Sequence, residues 1–342
     1  MSRRLNIPIF IPHLGCPHLC VFCNQRSISG QQSFDCTQVD AQILQALATT
    51  CEGDTAEIAY FGGSFTGIDR ELMLYLLDVA ERYVQNPIPG KARVAGIRMS
   101  TRPDYISDEI IEILSRYSVR TVELGLQSMD DGVLAASERG HDASCGARAC
   151  HMLRDAGFDV VGQMMIGLPG STEQNELHTA AKLCELGVSA ARIYPTVVFA
   201  DTALCGMMQS GAYKPLTLSE AVVRSARVLG VFEQHGVPVI RIGLCASDSL
   251  TDPCCAVAGA AHPALGELVR SELYYQKLRE LLAGAHAPVQ TVYIPARELS
   301  IAIGQHRQNL LRLQGEFGAR LRFVARDCTI PTLQEKETEH CT

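Results

Sequence analysis

Apolar residues along this chain fall into two alternating patterns. Short runs rich in Val, Ile and Phe cover residues 6–11, 57–61, 94–100, 121–126, 160–166, 191–197 and 237–242. Runs of that kind predict strands buried on both faces of a sheet. Between them, residues 37–49, 69–83, 107–117, 143–156, 172–186 and 219–235 carry apolar positions at helical spacing. Gly157, Gly187 and Gly236 stand just past three of these stretches, where helix-ending glycines belong. Strand and helix in turn predict βα units and a parallel sheet, an α/β fold.

The rhythm changes after Leu244. Residues 247–253 read as a polar linker, and His262 as a turn residue before a helix over 266–283. A strand over 289–294, a helix over 297–303, a loop Gly304-Gln305-His306-Arg307, a helix over 308–317 and a strand over 320–324 follow. The expected organisation is a main domain over 1–246, a helical segment with a small α+β domain over 256–326, and a polar tail over 327–342. A length of 342 residues suits about two domains.

Composition narrows the class. With 47% hydrophobic residues and no long polar tract the chain is globular, and its net charge of −7 is not that of a general nucleic-acid binder. Prolines interrupt the first apolar run, and no uninterrupted run is long enough for a membrane span. A cytoplasmic protein with no membrane partner is expected. Its 14 cysteines should then stay reduced, with Cys145, Cys150 and Cys184 as small buried hydrophobes. Cys254-Cys255 suggests a second cluster only weakly, since no further ligands stand at useful spacing. Charge is segregated: from 297 to 326, six arginines face only Glu298 and Glu316, a net of +4 that leaves −11 for the rest. A basic local patch of this sort suits RNA.

The candidate chemistry lies in Cys16-Pro17-His18-Leu19-Cys20-Val21-Phe22-Cys23, directly after the first predicted strand. Thiolates at C-x3-C-x2-C can converge on one inorganic cluster. A tetrahedral zinc site needs a fourth ligand, and His18, between two cysteines, is poorly placed to supply it. Three thiolates on a [4Fe–4S] cluster leave one iron open to a small chelating molecule.

This motif, with Phe22 before the third cysteine, resembles the signature of the radical S-adenosylmethionine (SAM) enzymes. Within them, residues 7–244 resemble the group that contains the catalytic subunit of Elongator, a tRNA-modifying enzyme, and the oxygen-independent coproporphyrinogen oxidases. The resemblance implies a partial (β/α) parallel barrel, with ligands at the C-terminal strand ends. It implies a [4Fe–4S] cluster on Cys16, Cys20 and Cys23, SAM as cofactor, and an electron donor such as flavodoxin or ferredoxin. The reduced cluster would then cleave SAM to a 5′-deoxyadenosyl radical. Further cofactor contacts follow by the same resemblance. Phe22 flanks the cluster, and Gly62, Gly63 and Ser64 hold the SAM amino group. Ser100 stands where the porphyrinogen oxidases carry a carboxylate, within a stretch that continues into Thr101-Arg102-Pro103-Asp104. Gln127 and Arg139 face SAM, with Arg139 on its carboxylate. Gln163 stands at the ribose, and Ile166 opens the adenine-side turn Gly167-Leu168-Pro169-Gly170.

The predicted order β-α-loop-α-β after residue 288 resembles a KH RNA-binding domain, in which a GxxG loop grips nucleotide backbone. In Gly304-Gln305-His306-Arg307 the second glycine is replaced, and Arg307 becomes the expected phosphate contact. Residues after Leu244 resemble this KH-like piece and not an acetyltransferase, so no acetyl-CoA chemistry is implied. The expected function is radical modification of a tRNA or rRNA base. The alternatives are oxidation of a small molecule such as a porphyrinogen, and a cluster-bearing RNA-binding regulator without catalysis.

Overall fold

The computed structural model describes residues 3–16, 20–25, 33–244, 248–283, 289–318 and 320–333. His18 and most of the tail lie outside them. The chain separates into two compact units, Met1–Ala221 with Val231–Pro263, and Val222–Gly230 with Ala264–Thr342.

In the first unit seven parallel strands form a curled half-barrel. They are β1 (Arg4–Phe10), β2 (Thr55–Phe61), β3 (Arg93–Thr101), β4 (Val119–Gln127), β5 (Asp159–Ile166), β6 (Ala190–Pro195) and, after a short strand β7 (Val197–Phe199), β8 (Val239–Ile242). The sheet order β1-β2-β3-β4-β5-β6-β8 repeats the chain order, as successive βα units require. Strand β4, at the centre, is buried along nearly its whole length. Helices start where the sequence can cap them. Ser107, Asp69 and Asp142 accept first-turn N–H groups, and Thr172 with Asn175 and Thr217 with Glu220 form reciprocal capping boxes. Gly157, Gly187 and Gly236 do end their helices with positive φ.

Two expectations are corrected. The predicted strand over 191–197 is two strands. Pro195 closes the ladder opposite Ile166, and the Thr196 N–H and hydroxyl both donate to the Ile166 carbonyl, at 2.8 and 2.7 Å. The chain turns there, and β7 pairs antiparallel with β9 (Ala256–Gly259). The linker read over 247–253 contains a helical turn, Asp248–Thr251, leading into β9.

The half-barrel is charged within. Glu123, wholly buried on β4, accepts Arg98 Nη1 from β3 at 2.9 Å, Arg192 Nη2 from β6 at 2.7 Å and Gln163 Nε2 from β5 at 2.9 Å. Arg98 also meets Glu57 of β2 at 2.8 Å, so charges alternate over β2, β3, β4 and β6, with the neutral Gln163 on β5 between the last two.

In the second unit a three-stranded sheet has the order β11-β10-β12. Strands β10 (Val289–Pro295) and β11 (Arg320–Arg326) pair parallel, and β12 (Thr332–Leu333) adds antiparallel to β10. Leu278, Leu282, Val292, Ile294, Leu313 and Leu321 form its core. Helices Leu299–Ile303 and Gln308–Phe317 flank Gly304–Arg307, the element order expected of this segment.

The alternating charges predict a stability effect. Glu123→Gln leaves Arg98 and Arg192 short of their shared buried carboxylate and should cost about 3–5 kcal/mol in urea unfolding. Arg82→Ala, which breaks an exposed pair with Asp40, should cost about 0–1 kcal/mol. Equal losses in the two variants would show that the buried network carries no special weight.

Candidate active site

The cysteine loop begins as a continuation of β1. The β1–β2 ladder extends past Phe10 through the Ile11 N–H to the Phe61 carbonyl, at 2.7 Å. The loop then folds onto the turn after β2: His13 N–H donates to Gly62 O at 2.9 Å and Ser64 N–H to Leu14 O at 2.8 Å. A Cβ on Gly63 would lie 2.5 Å from Leu14 O and 2.6 Å from Ile11 O, and one on Gly15 would lie 2.2 Å from Ser64 O. The close approach that glycine permits here is between two stretches of backbone.

Cys16, Cys20 and Cys23 are free thiols, Cys20 buried and the others partly so. Arg139 Nη1 donates to Cys20 Sγ at 3.1 Å, and Gln25 Nε2 approaches Cys23 Sγ at 3.6 Å. The Arg139 Nη2 donates to the Gly125 carbonyl, while its Nε is buried without a partner. Gln127, the only described site residue of β4, has positive φ and a buried Oε1 that is likewise unpartnered. Gly125 makes the space for both: a Cβ there would lie 3.0 Å from Gln127 Nε2 and 3.3 Å from Arg139 Nη2.

The other expected contacts have different surroundings. The wholly buried Ser64 hydroxyl bonds Thr101 Oγ1 at 2.9 Å and accepts the Arg102 N–H at 3.2 Å, which ties the turn to the end of β3. Ser100 is half-buried with its hydroxyl 3.5 Å from Tyr60 O. Gln163 is turned onto Glu123, Ile166 is fully buried, and Phe22 packs beside Val133, Leu168 and Val198. Gly304–Arg307 belongs to the second unit, with Gln305, His306 and Arg307 exposed.

Arg102 carries no assigned role in the sequence reading, yet it sits at the centre of these contacts. Its guanidinium forms a fork on Asp104, donates to the Arg139 carbonyl and lies 3.9 Å from Cys20 Sγ. The available signal was an arginine directly after a buried strand, where a solvated charge is not expected. Arg98, Glu123 and Arg192 had the same kind of signal, charges at inward strand positions.

Burial, followed by the neighbouring Cys20 and Cys16, pushes the Cys23 thiol up to about 12. Burial and Cys20 raise Cys16 as well, against the opposing pull of Arg102 and Arg139. Three thiolates this close repel one another, a conflict that bound iron removes. Among the described residues no three His, Cys, Asp or Glu converge as tightly as a single metal ion needs. A four-iron cluster asks for less, since each thiolate binds a different iron. The donor set therefore fits a cluster held by Cys16, Cys20 and Cys23. The orphaned Arg139 Nε and Gln127 Oε1 beside it fit the polar groups of SAM.

The loop-to-turn packing gives a direct test. Gly63→Ala forces the backbone contacts with Leu14 and Ile11 apart and should lower iron per chain after anaerobic reconstitution to below half of wild type. Gly206→Ala, with nothing within 4 Å of the added Cβ, should retain full iron. Unchanged iron in Gly63→Ala would mean that the loop does not depend on this contact.

Comparison with known proteins agrees with the geometry. The family model "Radical SAM superfamily" matches residues 10–183, and "Radical_SAM C-terminal domain" matches 188–275. An uncharacterized protein of Methanocaldococcus jannaschii is 28% identical over 73% of this chain and 78% of its own length. Elongator complex protein 3 of Homo sapiens is 27% identical over 52% of this chain, which spans only 35% of that protein. Among solved structures, the archaeal Methanocaldococcus infernus Elp3 superposes with a TM-score of 0.61 at 21% identity, over 81% of this chain and 68% of its own. The enzymes of this superfamily use a [4Fe–4S] cluster and SAM, the groups that the thiols and the orphaned polar atoms fit, and this chain belongs to the radical SAM superfamily.

Proposed function

We propose that this chain reductively cleaves SAM in order to modify a base of tRNA or rRNA. When bound and reduced, the cluster with SAM supplies a 5′-deoxyadenosyl radical able to take a hydrogen atom from substrate. The roles of the protein's own residues follow from their positions. Cys16, Cys20 and Cys23 hold the cluster, and the turn Gly62-Gly63-Ser64 fixes the loop that carries them. Arg139, already against Cys20, directs its remaining N–H at the SAM carboxylate, a charge-assisted contact. Gln127 offers its amide oxygen to the amino group. Gln163 stands at the ribose and Ile166 opens the adenine-side turn, while Phe22 flanks the cluster and Ser100 is a further SAM contact. A small electron-transfer protein, such as flavodoxin or ferredoxin, delivers the electron.

The RNA part of the reading rests on one observation. The second unit exposes Arg307, Arg320 and Arg322 on a chain whose remainder is acidic. Its KH-like element order and the Gly304–Arg307 loop support the same reading. Among the described residues no helix is long and apolar enough to cross a membrane.

Three measurements test the proposal. Dithionite-reduced protein should convert SAM to methionine and 5′-deoxyadenosine, slowly without substrate. Arg139→Ala should weaken SAM binding by about 1.5–3 kcal/mol, the scale of a hydrogen bond to a charged group. Unchanged affinity would make Arg139 a structural residue only. For the substrate, tRNA and rRNA nucleosides from cells with and without the protein should differ in at least one modified base. Identical nucleosides, with SAM cleavage intact, would favour a small-molecule substrate.

A further inference from the structure

We propose that the open face of the sheet formed by β11, β10 and β12, rather than the Gly304–Arg307 loop, is the main RNA-binding surface of the second unit. The inference rests on the RNA reading above and says where that RNA is held.

The sheet has one covered face and one open face. Val292, Ile294, Leu321, Phe323 and Leu333 pack with the helices in the core. Strand alternation turns the intervening positions outward. On edge strand β11 these are Arg320, Arg322, Val324 and Arg326, all exposed. Register sets Thr291 beside Arg322, and Tyr293 beside both Val324 and Thr332. Three arginines thus share this face, with the Cα atoms of Arg320 and Arg322 about 6.6 Å apart and those of Arg322 and Arg326 about 13 Å apart from the rise of a strand. They are next to two hydroxyls and one aromatic ring.

No carboxylate occupies these outward positions among the described residues, although Asp327 directly follows Arg326. Three acids of the unit are already engaged. Glu316 accepts Tyr275 and Arg279, Glu272 accepts Arg312, and Glu298 accepts Tyr274. The row of arginines is therefore left to meet an external polyanion. Tyr293 adds a specific feature. The Arg326 guanidinium lies 4.6 Å from its ring centre, a cation–π arrangement that presents aromatic surface and charge together. Stacking on such a ring is how single-stranded bases are held without sequence readout. Anionic membranes share the charge requirement, and binding to anionic vesicles tells the two apart.

The loop is less suited to the task. A GxxG loop grips phosphate through free amides and bare glycine surface. Here the Arg307 N–H donates to Gly304 O at 3.1 Å, so that amide is already used. A Cβ on Gly304 would lie 3.0 Å from the Asn309 side chain and 3.2 Å from Ser271 Oγ. Asn309 in turn donates to the Ser271 carbonyl at 2.9 Å. Gly304 therefore has an internal packing reason to be glycine, independent of any ligand.

The test is filter binding of full-length, cluster-reconstituted protein to bulk tRNA at 50 and 200 mM KCl. The triple variant R320E/R322E/R326E should bind at least tenfold more weakly at the lower salt. Its log–log salt dependence should be shallower by about 2–3, near one for each lost phosphate contact. R307E should stay within about threefold of wild type, near the scale of a single exposed charge. R70E/R82E/R116E, the same charge change on helices of the first unit, should do likewise. Y293A should weaken binding several-fold with the salt slope unchanged. Matching thermal midpoints and cluster absorbance establish folding, and R322E alone serves if the triple variant fails there. A loss in R307E as large as in the sheet variant would overturn the inference, as would a sheet variant no weaker than the charge control. Wild type that does not retain tRNA at all would instead overturn the RNA reading itself. If such protein bound phosphatidylserine vesicles through these arginines, the face would be a membrane contact.

Discussion

The cysteine loop and the turn after β2 touch backbone to backbone, and the rest of the site depends on that contact. Gly15 and Gly63 are the points where no side chain fits between the two. Because the loop leaves β1 still in ladder register with β2, the thiols inherit the rigidity of the sheet. The same turn reaches outward through Ser64 to Thr101 and the Arg102 backbone. Arg102 then holds the Arg139 carbonyl, and Arg139 reaches back to Cys20. The contacts close a circuit through β1, β2, β3 and the segment after β4. A displacement at any point is felt at the sulfur atoms.

Below this circuit the half-barrel interior would be apolar in an ordinary packed core, and it is not. Glu57, Arg98, Glu123 and Arg192 alternate in sign, so each charge has an opposite neighbour. Such buried pairs are weak sources of net stability, because desolvation offsets most of the Coulomb gain. Their value is in fixing which side chains face inward, since a strand slipped by one residue would bury an unpaired charge. Arg192 also lies over the Phe61 ring at 5.5 Å, so the network is in contact with the last residue of β2. Register and site geometry are therefore set by the same residues.

Much of this was legible in the sequence, for identifiable reasons. Buried parallel strands leave long apolar runs, and the cysteine spacing is local, so both can be read without knowing what packs against them. The break at Thr196 was not legible, because nothing in Ala191–Val197 shows that Ile166, thirty residues earlier, will capture the Thr196 N–H and hydroxyl. Arg102 was legible only in part: Asp104 is two residues away, but Arg139 and Cys20 are brought to it only by folding. The Gly-rich turn was legible as a turn, but the fit of Gly63 against Leu14 and Ile11 was not, because those contacts form only when the loop folds onto it.

Arg307 shows where this difference matters most. It takes φ 63°, the left-handed region that costs a non-glycine residue energy, at the loop position where a KH domain carries glycine. The chain holds this backbone shape with a residue that carries a Cβ. A loop under selection to admit phosphate would lose function with that glycine, because the added Cβ occupies the space of the approaching backbone. A loop that only connects two helices loses about 1–2 kcal/mol and gains an exposed cation. At the start of the same loop, the Asn309–Ser271 anchor packs against Gly304. The sheet face is under no comparable internal demand. Arginines 320 and 322 have no packing reason to stand on an open edge strand, so their charge is what remains to account for them.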